Sequence, residues 1–294
     1  MRWPDGVIRC TACGNDKIVK VERKAGSKNR RKWFYLCQEK TCHNQFSPTS
    51  GTLFADSHLP LLTWFHAIGL MLNAKKGISA KQLQRDLGIG GYKTAWYLNH
   101  RIREAMGNGD IPKLGGIVEI DETYVGGKVS GKGQSYAKKQ KQVVMGAIQR
   151  GGELRLEHVT GATVGNFREF IQKHVSEDVE RVMTDQHPAY PAALESFDAT
   201  HETVNHIKHE YVRGDVTTNA IESVFSLFKR GVIGQYHKLS AKHLQRYLTE
   251  FEYRFNRRND ADVFIETVAR LCGFKPLRFT DLTSDPDPEP SVPF

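Results

Sequence analysis

The side chains most able to do chemistry are three acidic residues spread along the middle of this 294-residue chain. Asp121 lies inside an apolar run, Asp185 directly follows another, and Glu222 lies in the segment TTNAIESVFSLFKR at residues 217–230. Carboxylates that share one site repel each other unless a cation lies between them, and their hard oxygen atoms favour Mg²⁺ or Mn²⁺. If folding brings the three together, we expect them to hold such ions.

The segment at residues 217–230 has the period of an amphipathic helix. Its apolar residues fall on one face: Ile221, Val224, Phe225 and Phe228. A second face carries Asn219, Glu222, Ser226 and Lys229, so the helix could present a carboxylate and an ammonium group to an active site. The alternative is that Asn219 and Glu222 form an N-x-x-E capping box, which only satisfies amides of the first helical turn.

Four of the five cysteines lie near the amino terminus. Cys10, Cys13, Cys37 and Cys42 are spaced as C-x2-C, 23 residues and C-x4-C. Two close pairs separated by a hairpin supply the four thiolates of a tetrahedral Zn²⁺ site. His43, next to Cys42, could compete as a ligand. Cys272 stands alone in an apolar context and is expected to be a buried thiol.

The charge distribution indicates a polyanionic partner. The net charge is +9, and residues 1–54 carry 11 Lys and Arg against 4 Asp and Glu, a local excess of +7. A basic amino-terminal unit points first to nucleic acid. Since the chain has neither a long apolar run nor a secretory signal, we expect an intracellular protein, cytoplasmic and nucleoid-associated in a prokaryote, with no membrane partner.

The elements that precede the acidic residues form two small units. Residues 1–54 read as a zinc ribbon. Residues 58–107 read as a helix-turn-helix-like DNA-binding unit, with helices at 79–87 and 92–106 joined by a glycine-containing turn. The expected recognition helix carries Lys93, Thr94, Tyr97, His100, Arg101 and Arg103. A plain helical connector is the alternative.

Residues 114–262 show the order three strands, helix, strand, helix, strand, helix, which is the order of the ribonuclease H-like α/β fold. Predicted strands at 117–125, 142–149, 153–160, 181–184 and 202–204 would form its sheet. In this fold the first and fourth strands are neighbours and the last helix packs across them, which would bring Asp121, Asp185 and Glu222 together. Residues 126–141 are rich in Gly and Lys and read as a loop, and residues 275–294 read as a disordered tail.

Three sequence blocks resemble a known family. The block EIDETYVGGK at residues 119–128, the pair Thr184-Asp185 with Tyr190, and the block from Thr218 to Gly231 resemble the catalytic motifs of insertion-sequence DDE transposases with an N-terminal zinc ribbon, the ISXO-like group. The resemblance runs from about Cys10 to Arg258.

The resemblance implies metal-dependent cleavage and joining of transposon ends, with Asp121 and Asp185 as ligands of Mg²⁺ or Mn²⁺. In the family the third ligand is the Glu or the Asn of the N-x-x-E element, followed by a Lys. A carboxylate neutralises the ions and an amide does not, so we favour Glu222 over Asn219, with Lys229 as a phosphate contact. His206 matches a family histidine, although a surface histidine is equally plausible.

The resemblance also implies partners. These are double-stranded DNA, both as terminal inverted repeats and as target, and further copies of the chain in a synaptic complex. Two other functions compete with the transposase: a DNA-binding regulator, a domesticated relative whose carboxylates are only structural, and a nuclease or resolvase of the same fold. Intact Asp121, Asp185 and Glu222 favour the enzyme over the regulator, and a nuclease should not need the two amino-terminal units.

Overall fold

A computed structural model describes residues 2–27, 31–107, 109, 111–126, 141–205, 212–237 and 239–284 of the chain. The amino-terminal unit is an antiparallel three-stranded sheet in the order β1-β2-β3, formed by β1 (Ile18–Glu22), β2 (Trp33–Cys37) and β3 (Gln45–Phe46). The alternating β-prone residues and the polar segment between β1 and β2 produce the hairpin that the sequence predicted. The hairpin brings the two cysteine pairs to one end of the unit.

Three helices follow: α1 (Leu61–Asn73), α2 (Ala80–Asp86) and α3 (Tyr92–Gly107). Ser79 caps α2, because its hydroxyl accepts a hydrogen bond from the amide of Gln82 at 3.1 Å. Gly88 lies between α2 and α3 with φ +61°, a backbone conformation that glycine adopts without the steric cost of a Cβ. The two helices and their turn therefore follow the predicted arrangement.

The central sheet has five strands: β4 (Ile117–Val125), β5 (Gln142–Gln149), β6 (Leu154–Val159), β7 (Arg181–Thr184) and β8 (Thr200–Thr203). Their order is β6-β5-β4-β7-β8. The first three strands pair antiparallel, and β7 and β8 run parallel to β4. This is the ribonuclease H-like arrangement, and it confirms the predicted fold class.

Helices cover both faces of the sheet. These are α4 (Val164–His174) and α5 (Ala189–Ala193) on one side, and α6 (Asn219–Gly231) and α7 (Ala241–Asn256) on the other. Two further helices, α8 (Val263–Gly273) and α9 (Phe279–Thr283), pack against the amino-terminal helices. A short hairpin of β9 (Val212–Arg213) and β10 (Val216–Thr217) precedes α6, and a π-helical turn (Val232–Tyr236) continues it. Among the described residues, no helix has the length and apolar character that a membrane span requires.

The period-two pattern of the strands divides the core between the two faces. Val118 and Ile120 pack with Phe167 of α4 and Tyr190 of α5 on one face. The opposite face of β5 packs against α6 and α7. Glu119 and Asp121 alternate with Val118 and Ile120 along β4, so their side chains project from the opposite face of the sheet, toward α6.

The helical unit shares its core with the carboxy-terminal helices. Residues of α1, α2 and α3 pack in one cluster with Tyr253 of α7 and with Val268 and Leu271 of α8. A buried ion pair joins the two parts, since Arg103 Nε lies 2.7 Å from Glu250 Oε2 and both side chains are almost fully covered. Residues 58–107 are therefore a separate unit in sequence but not in packing.

This packing corrects the prediction for α3. His100, Arg101 and Arg103 are buried, at 0%, 2% and 2% exposure, and cannot reach DNA. Arg101 donates to the carbonyl of Ala55 and its guanidinium lies over the ring of Trp64. An α-helix held between other helices buries most of its circumference, so only the amino end of α3 stays exposed, at Tyr92, Lys93 and Thr94.

The predicted disordered tail also needs correction. Residues 275–284 are ordered, because α9 packs its Leu282 into the protein and Phe279 contacts the rings of Trp96 and Tyr97. The Tyr97 hydroxyl donates to the carbonyl of Leu277. Proline and acidic residues dominate only beyond this point, and residues 285–294, like residues 127–140 of the predicted loop, lie outside the described part.

Side chains of α7 cover the exposed edge of the sheet. The outward amides of β6 at Leu154, Leu156 and His158 donate to Asn256, Glu252 and Gln245 respectively, each at 2.8 Å. A helix thus takes the place of a sixth strand and satisfies backbone groups that would otherwise invite pairing with another chain. The arrangement buries one acidic group, Glu252.

Replacing Glu252 by Gln is expected to remove a pH dependence of stability. Burial raises the pKa of Glu252 to about 7 from an ordinary value of 4.5, and the amide of Leu156 and the charge of Arg155 only partly oppose this. A carboxyl group whose pKa is raised by folding favours the folded state at low pH, and that stability is lost as the pH rises from about 4.5 to about 7. The loss is on the order of 3 kcal/mol.

Gln keeps an oxygen that accepts from Leu156, so Glu252→Gln should be more stable than the parent at pH 8 and equal to it at pH 4.5. Urea unfolding across this pH range measures the difference. Glu266→Gln on the exposed side of α8 is the matched control. If the parent and Glu252→Gln show the same pH dependence, Glu252 is not the group responsible.

Candidate active site

The predicted acidic residues lie where the central strands end. β7 pairs with β4 up to Met183, which is opposite Glu119, and the same register places Asp185 beside Asp121. Parallel strands present their carboxyl ends at one edge, where ligands of open α/β sheets commonly bind. The structure therefore brings Asp121 and Asp185 together, as the sequence predicted.

A third carboxylate, from Glu122, joins them. Oxygen atoms of Asp121, Glu122 and Asp185 all lie within 4.8 Å of one another. Consecutive residues of a strand normally point to opposite faces. Here the pairing of β4 with β7 ends at Glu119, so the edge of β4 is free at Glu122. The long Glu122 side chain can therefore pass around that edge and approach Asp185. The sequence analysis did not assign Glu122 to the site, and the alternation of side chains along a strand gives no signal that would have found it.

The electrostatics of this group favour a cation. Burial raises the pKa of Asp121 to about 8, and the negative charges of Glu122 and Asp185 act in the same direction. Burial and Asp185 also raise the pKa of Glu122. Groups with raised pKa values hold their negative charge at a cost, which a divalent cation would offset. The donor set consists of hard oxygen atoms, and these residues could hold divalent metal ions of the Mg²⁺ and Mn²⁺ type.

Two residues of the segment after β7 orient the acidic group. The Tyr190 hydroxyl donates to Glu122 Oε2 at 2.9 Å, and Tyr190 itself is fully buried. The amide of His187 donates to Asp185 Oδ1 at 2.9 Å, and its Nε2 lies 4.0 Å from Glu122 Oε1. The turn that follows β7 therefore fixes Asp185 and Glu122 with respect to each other.

The close packing of α6 on the sheet depends on Gly146. Gly146 of β5 is opposite Asp121 in the β4–β5 register. A Cβ at this position would lie 2.7 Å from Ile221 Cδ1 and 2.8 Å from Phe225 Cζ, which is closer than real contacts allow. Only glycine lets the apolar face of α6 approach the sheet this closely, and the approach brings the polar face of α6 toward Asp121.

The start of α6 is held by Glu119 and not by the predicted capping box. α6 begins at Asn219 with Thr218 as its N-cap, and the Thr218 side chain makes no capping hydrogen bond, while the Thr217 hydroxyl accepts only from the amide of Asn219, at 3.1 Å. Instead, Glu119 Oε2 accepts from the amides of Ala220 at 2.9 Å and Ile221 at 3.3 Å. A carboxylate at a helix amino terminus also interacts favourably with the helix dipole. Capping by a residue 101 positions away has no local sequence signature, so sequence reasoning missed it.

Glu119 links the elements that carry the site. It lies two residues before Asp121 on the same strand and holds the helix that carries Glu222. Its other oxygen accepts from Arg150 Nε at 3.3 Å, and Arg150 also donates to the carbonyl of Asp215 just before β10. Glu119 is 2% exposed, so its hydrogen bonds form away from solvent. It is a positioning residue for α6.

Replacing Glu119 by Ala is expected to lower both stability and site function, while Glu119→Gln should retain more of each. Ala leaves two buried amides and Arg150 without their acceptor, which costs about 1–3 kcal/mol. Gln keeps an oxygen for the amides but loses the ion pair. Thermal unfolding and metal-dependent activity measure the two effects.

Glu202→Ala is the matched control for Glu119→Ala, because Glu202 pairs with Arg181 at the sheet surface with 27% exposure. A half-exposed ion pair contributes about 1 kcal/mol or less. If Glu119→Ala unfolds at the temperature of the parent, Glu119 does not hold α6.

The three polar residues of α6 occupy different positions. Glu222 is half-buried and accepts from the Thr218 hydroxyl at 2.8 Å. It lies outside the three-carboxylate group, yet close enough for its charge to contribute to the raised pKa of Asp121. Asn219 is exposed at the helix start. Burial lowers the pKa of Lys229, and the charge of Asp121 opposes that shift, so Lys229 lies within electrostatic reach of the site. His206 lies outside the described residues.

The second possible metal site is formed by the four cysteines. Sulfur atoms of Cys10, Cys13, Cys37 and Cys42 lie within 4.8 Å of one another. Gly14, with φ +75°, and His43, with φ +45°, complete the two turns. His43 is not part of the group, which the cysteines form without it. Four converging sulfur atoms fit a tetrahedral zinc ion, and these residues could hold one.

The fold and site define a ribonuclease H-like domain with an acidic cluster at the ends of its central strands. Residues 113–256 match the model of the ISXO2-like transposase domain. A protein in the transposable element ISH50 of Halobacterium salinarum is 29% identical over 269 residues, covering 86% of this chain and 87% of that protein. The chain therefore carries an ISXO2-like transposase domain over residues 113–256 and is similar along most of its length to a protein of an insertion element.

Solved transposase structures share this arrangement only distantly. The pre-cleavage Mos1 transpososome is 10% identical with a TM-score of 0.28, covering 73% of this chain and 79% of that chain. The Mos1 strand transfer complex is 10% identical with a TM-score of 0.29, covering 71% and 75% of the respective chains. Likenesses this weak do not establish a fold, and the fold assignment rests on the strand order.

Proposed function

We propose that this transposase cleaves and joins the DNA ends of its insertion sequence by metal-dependent phosphodiester hydrolysis and strand transfer. The observation that carries the proposal is the convergence of Asp121 and Glu122, in the middle of β4, with Asp185, just beyond the carboxyl end of β7. A purely structural role does not account for three adjacent carboxylates, among which the pKa values of Asp121 and Glu122 are raised, because burying like charges together destabilises a fold.

In this proposal Asp121 and Asp185 hold Mg²⁺ or Mn²⁺, with Glu222 as the third ligand and Asn219 as the alternative. Bound there, such ions would supply the charge that activates a water or a 3′-hydroxyl and stabilises the leaving oxygen. Glu122, held by Tyr190 and facing His187, keeps a second negative oxygen beside Asp185. Burial of the Asp121 carboxylate excludes water from one side of the reacting phosphate.

Lys229 supplies positive charge for the DNA. It lies on the α6 face that also carries Glu222, two turns further along the helix. The partial burial that lowers its pKa also removes competing solvent, and the charge of Asp121 keeps its pKa from falling further. An ammonium group in this position can contact a phosphate oxygen next to the scissile bond.

The partners we propose are double-stranded DNA at the terminal inverted repeats and at the target, bound by several copies of the chain in a synaptic complex. In this chain basic residues on one side of the amino-terminal ribbon, together with the exposed amino end of α3, would bind the DNA. Zinc would stabilise the amino-terminal ribbon.

The test of this function is cleavage of the DNA that flanks the coding region. A labelled duplex carrying that flanking DNA should be cut by the purified chain with Mg²⁺ or Mn²⁺ and left intact with EDTA. A scrambled duplex of the same length is the control. Cleavage that proceeds equally well in EDTA would contradict the proposal.

Substitutions at Glu222 and Asn219 identify the third ligand. Glu222→Gln removes a metal-binding charge but keeps an oxygen that accepts from Thr218, so we expect cleavage to fall by orders of magnitude with an unchanged melting temperature. Asn219 makes no side-chain cap, so Asn219→Ser should be as stable as the parent and cleave within about tenfold of it. Normal cleavage by Glu222→Gln beside an inactive Asn219→Ser would reverse the assignment.

A further inference from the structure

A continuous groove runs between the amino-terminal ribbon and the helices. Three adjoining cavities share Ser57 and His58 as a common wall. One opens against the ribbon hairpin at Arg23 and Arg31, the next at Lys32 and Trp33, and the last at Lys93 and Thr94 of α3. We call this feature the basic groove, defined by Arg23, Arg31, Lys32, His58, Lys93 and Thr94.

The charge of the basic groove fits a polyanion. Its side chains come from two distant parts of the sequence, yet nearly all the charged ones are basic. Asp56 is the single acidic residue that lines the three cavities in the described part of the chain. Lys32 and Lys93 are both exposed, one on each side. Such a surface attracts phosphate groups and releases their counterions on binding.

The two sides of the basic groove are joined rigidly. The Arg31 guanidinium donates to the hydroxyls of Ser47 and Thr49, which brace it against the end of the ribbon. The amide of Leu53 donates to the carbonyl of Leu271 in α8 at 3.0 Å, and Leu53 belongs to the core of the helical unit. The ribbon thus presents its basic residues at a set distance from Lys93.

Because most of α3 is buried, this helix alone offers few contacts to DNA, and the ribbon side of the basic groove has to supply the others. Because His100, Arg101 and Arg103 are covered, α3 offers DNA only its first turn. A recognition helix does use its amino-terminal residues to contact bases, but one exposed lysine supplies few phosphate contacts. The ribbon side of the groove holds the additional positive charge, at Arg23, Arg31 and Lys32.

We propose that the basic groove seats the phosphate backbone of duplex DNA, so that the ribbon and the first turn of α3 bind one stretch of the same DNA molecule as a single surface. The proposal rests on the proposed function for the identity of that DNA, the end of the element. It differs from two independent binding modules, which would each keep their affinity when the other is impaired.

Lys32→Gln and Lys93→Gln, alone and together, test the proposal. Binding is measured in EDTA at several salt concentrations, with the duplex that flanks the coding region and a scrambled duplex, in full-length protein carrying Asp185→Asn. The slope of log Kd against the logarithm of the salt concentration should fall by about 0.9 in each single variant and by about 1.8 in the double variant. The reason is that each substitution removes one phosphate contact. Lys40→Gln on the ribbon and Lys75→Gln after α1, both exposed and outside the groove, should bind as the parent does.

Unchanged salt dependence in Lys32→Gln or in Lys93→Gln overturns the proposal, as does an equal loss in the two control variants. A double variant no weaker than the worse single variant also overturns it, since the two lysines would then not contact the same DNA. Failure of the proposed function can be distinguished from failure of the groove. The first shows as absence of cleavage by the parent in Mg²⁺, whereas the groove is tested by binding without metal.

Discussion

Asp185→Asn and Asp121→Asn proteins are expected to lose cleavage of the element-end duplex by orders of magnitude while still binding it. Each substitution removes a negative oxygen that the proposed metal ions require, and an amide does not replace that charge. Neither residue lies near the basic groove. Cleavage in Mg²⁺ and Mn²⁺, with binding measured in EDTA, separates the two properties. Asp178→Asn, an exposed acid between α4 and β7, is the matched control and should cleave like the parent.

The same Asp121 variant should be more stable than the parent when no metal is present. Folding raises the pKa of Asp121 to about 8, so its carboxyl group favours the folded state at acid pH and loses that contribution as the pH rises through about 8. Asn has no charge to bury. At pH 8 we therefore expect Asp121→Asn to melt above the metal-free parent, and Mg²⁺ to raise the melting temperature of the parent more. The metal site at Asp121 would be contradicted if Asp121→Asn melted below the metal-free parent. It would also be contradicted if Mg²⁺ raised the melting temperature of Asp121→Asn as much as that of the parent.

Cys37→Ser is expected to have the second-largest effect, loss of the zinc ribbon and of DNA binding together. Cys37 is fully buried among the four sulfur atoms, and a unit this small depends on its metal for folding energy. Elemental analysis should find one zinc per chain in the parent and none in the variant. Protease cleavage should appear between residues 10 and 46, and the affinity for the element-end duplex should fall.

The unfolding should stop before Leu53, because Leu53 and Phe54 belong to the core of α1–α3. The melting transition of the remaining chain should therefore change little. Cys272→Ser is the control, since Cys272 lies outside the four-sulfur group and should leave zinc content and binding unchanged. A parent protein without zinc, or a Cys37→Ser protein that binds DNA normally, would remove the structural role of the metal.

The strands were predictable because their signal is local. β4, β5 and β7 have the bounds that the sequence predicted, since each is a β-prone apolar run interrupted by turn residues or charged segments. The apolar period of α6 was equally clear, and its residues are buried as expected. The apolar residue Leu62 of α1 is nevertheless 64% exposed, because the first turn of that helix projects beyond the core.

The burial of α3 could not be read from its sequence. Arg101 and Arg103 have the composition of a DNA-contacting face, yet each is paired inside the protein, Arg103 with Glu250. A guanidinium can be buried when a distant acid or carbonyl meets it, and sequence periodicity contains no information on distant partners. The same reason explains α9, which is ordered by contacts with Trp96 and Tyr97.

The sequence by itself determined the chemistry of this protein: four cysteines at zinc spacing, acidic residues at the ends of predicted strands, and the strand order that brings Asp121 to Asp185. Side-chain type and spacing are properties of the chain, so they can be read directly from the sequence. Only the tertiary structure decided that Glu122 joins the acidic group, that Glu119 holds α6, and that the ribbon and α3 share one groove. Each of these depends on contacts between residues far apart in sequence, whose geometry follows from how the elements pack and not from any local pattern.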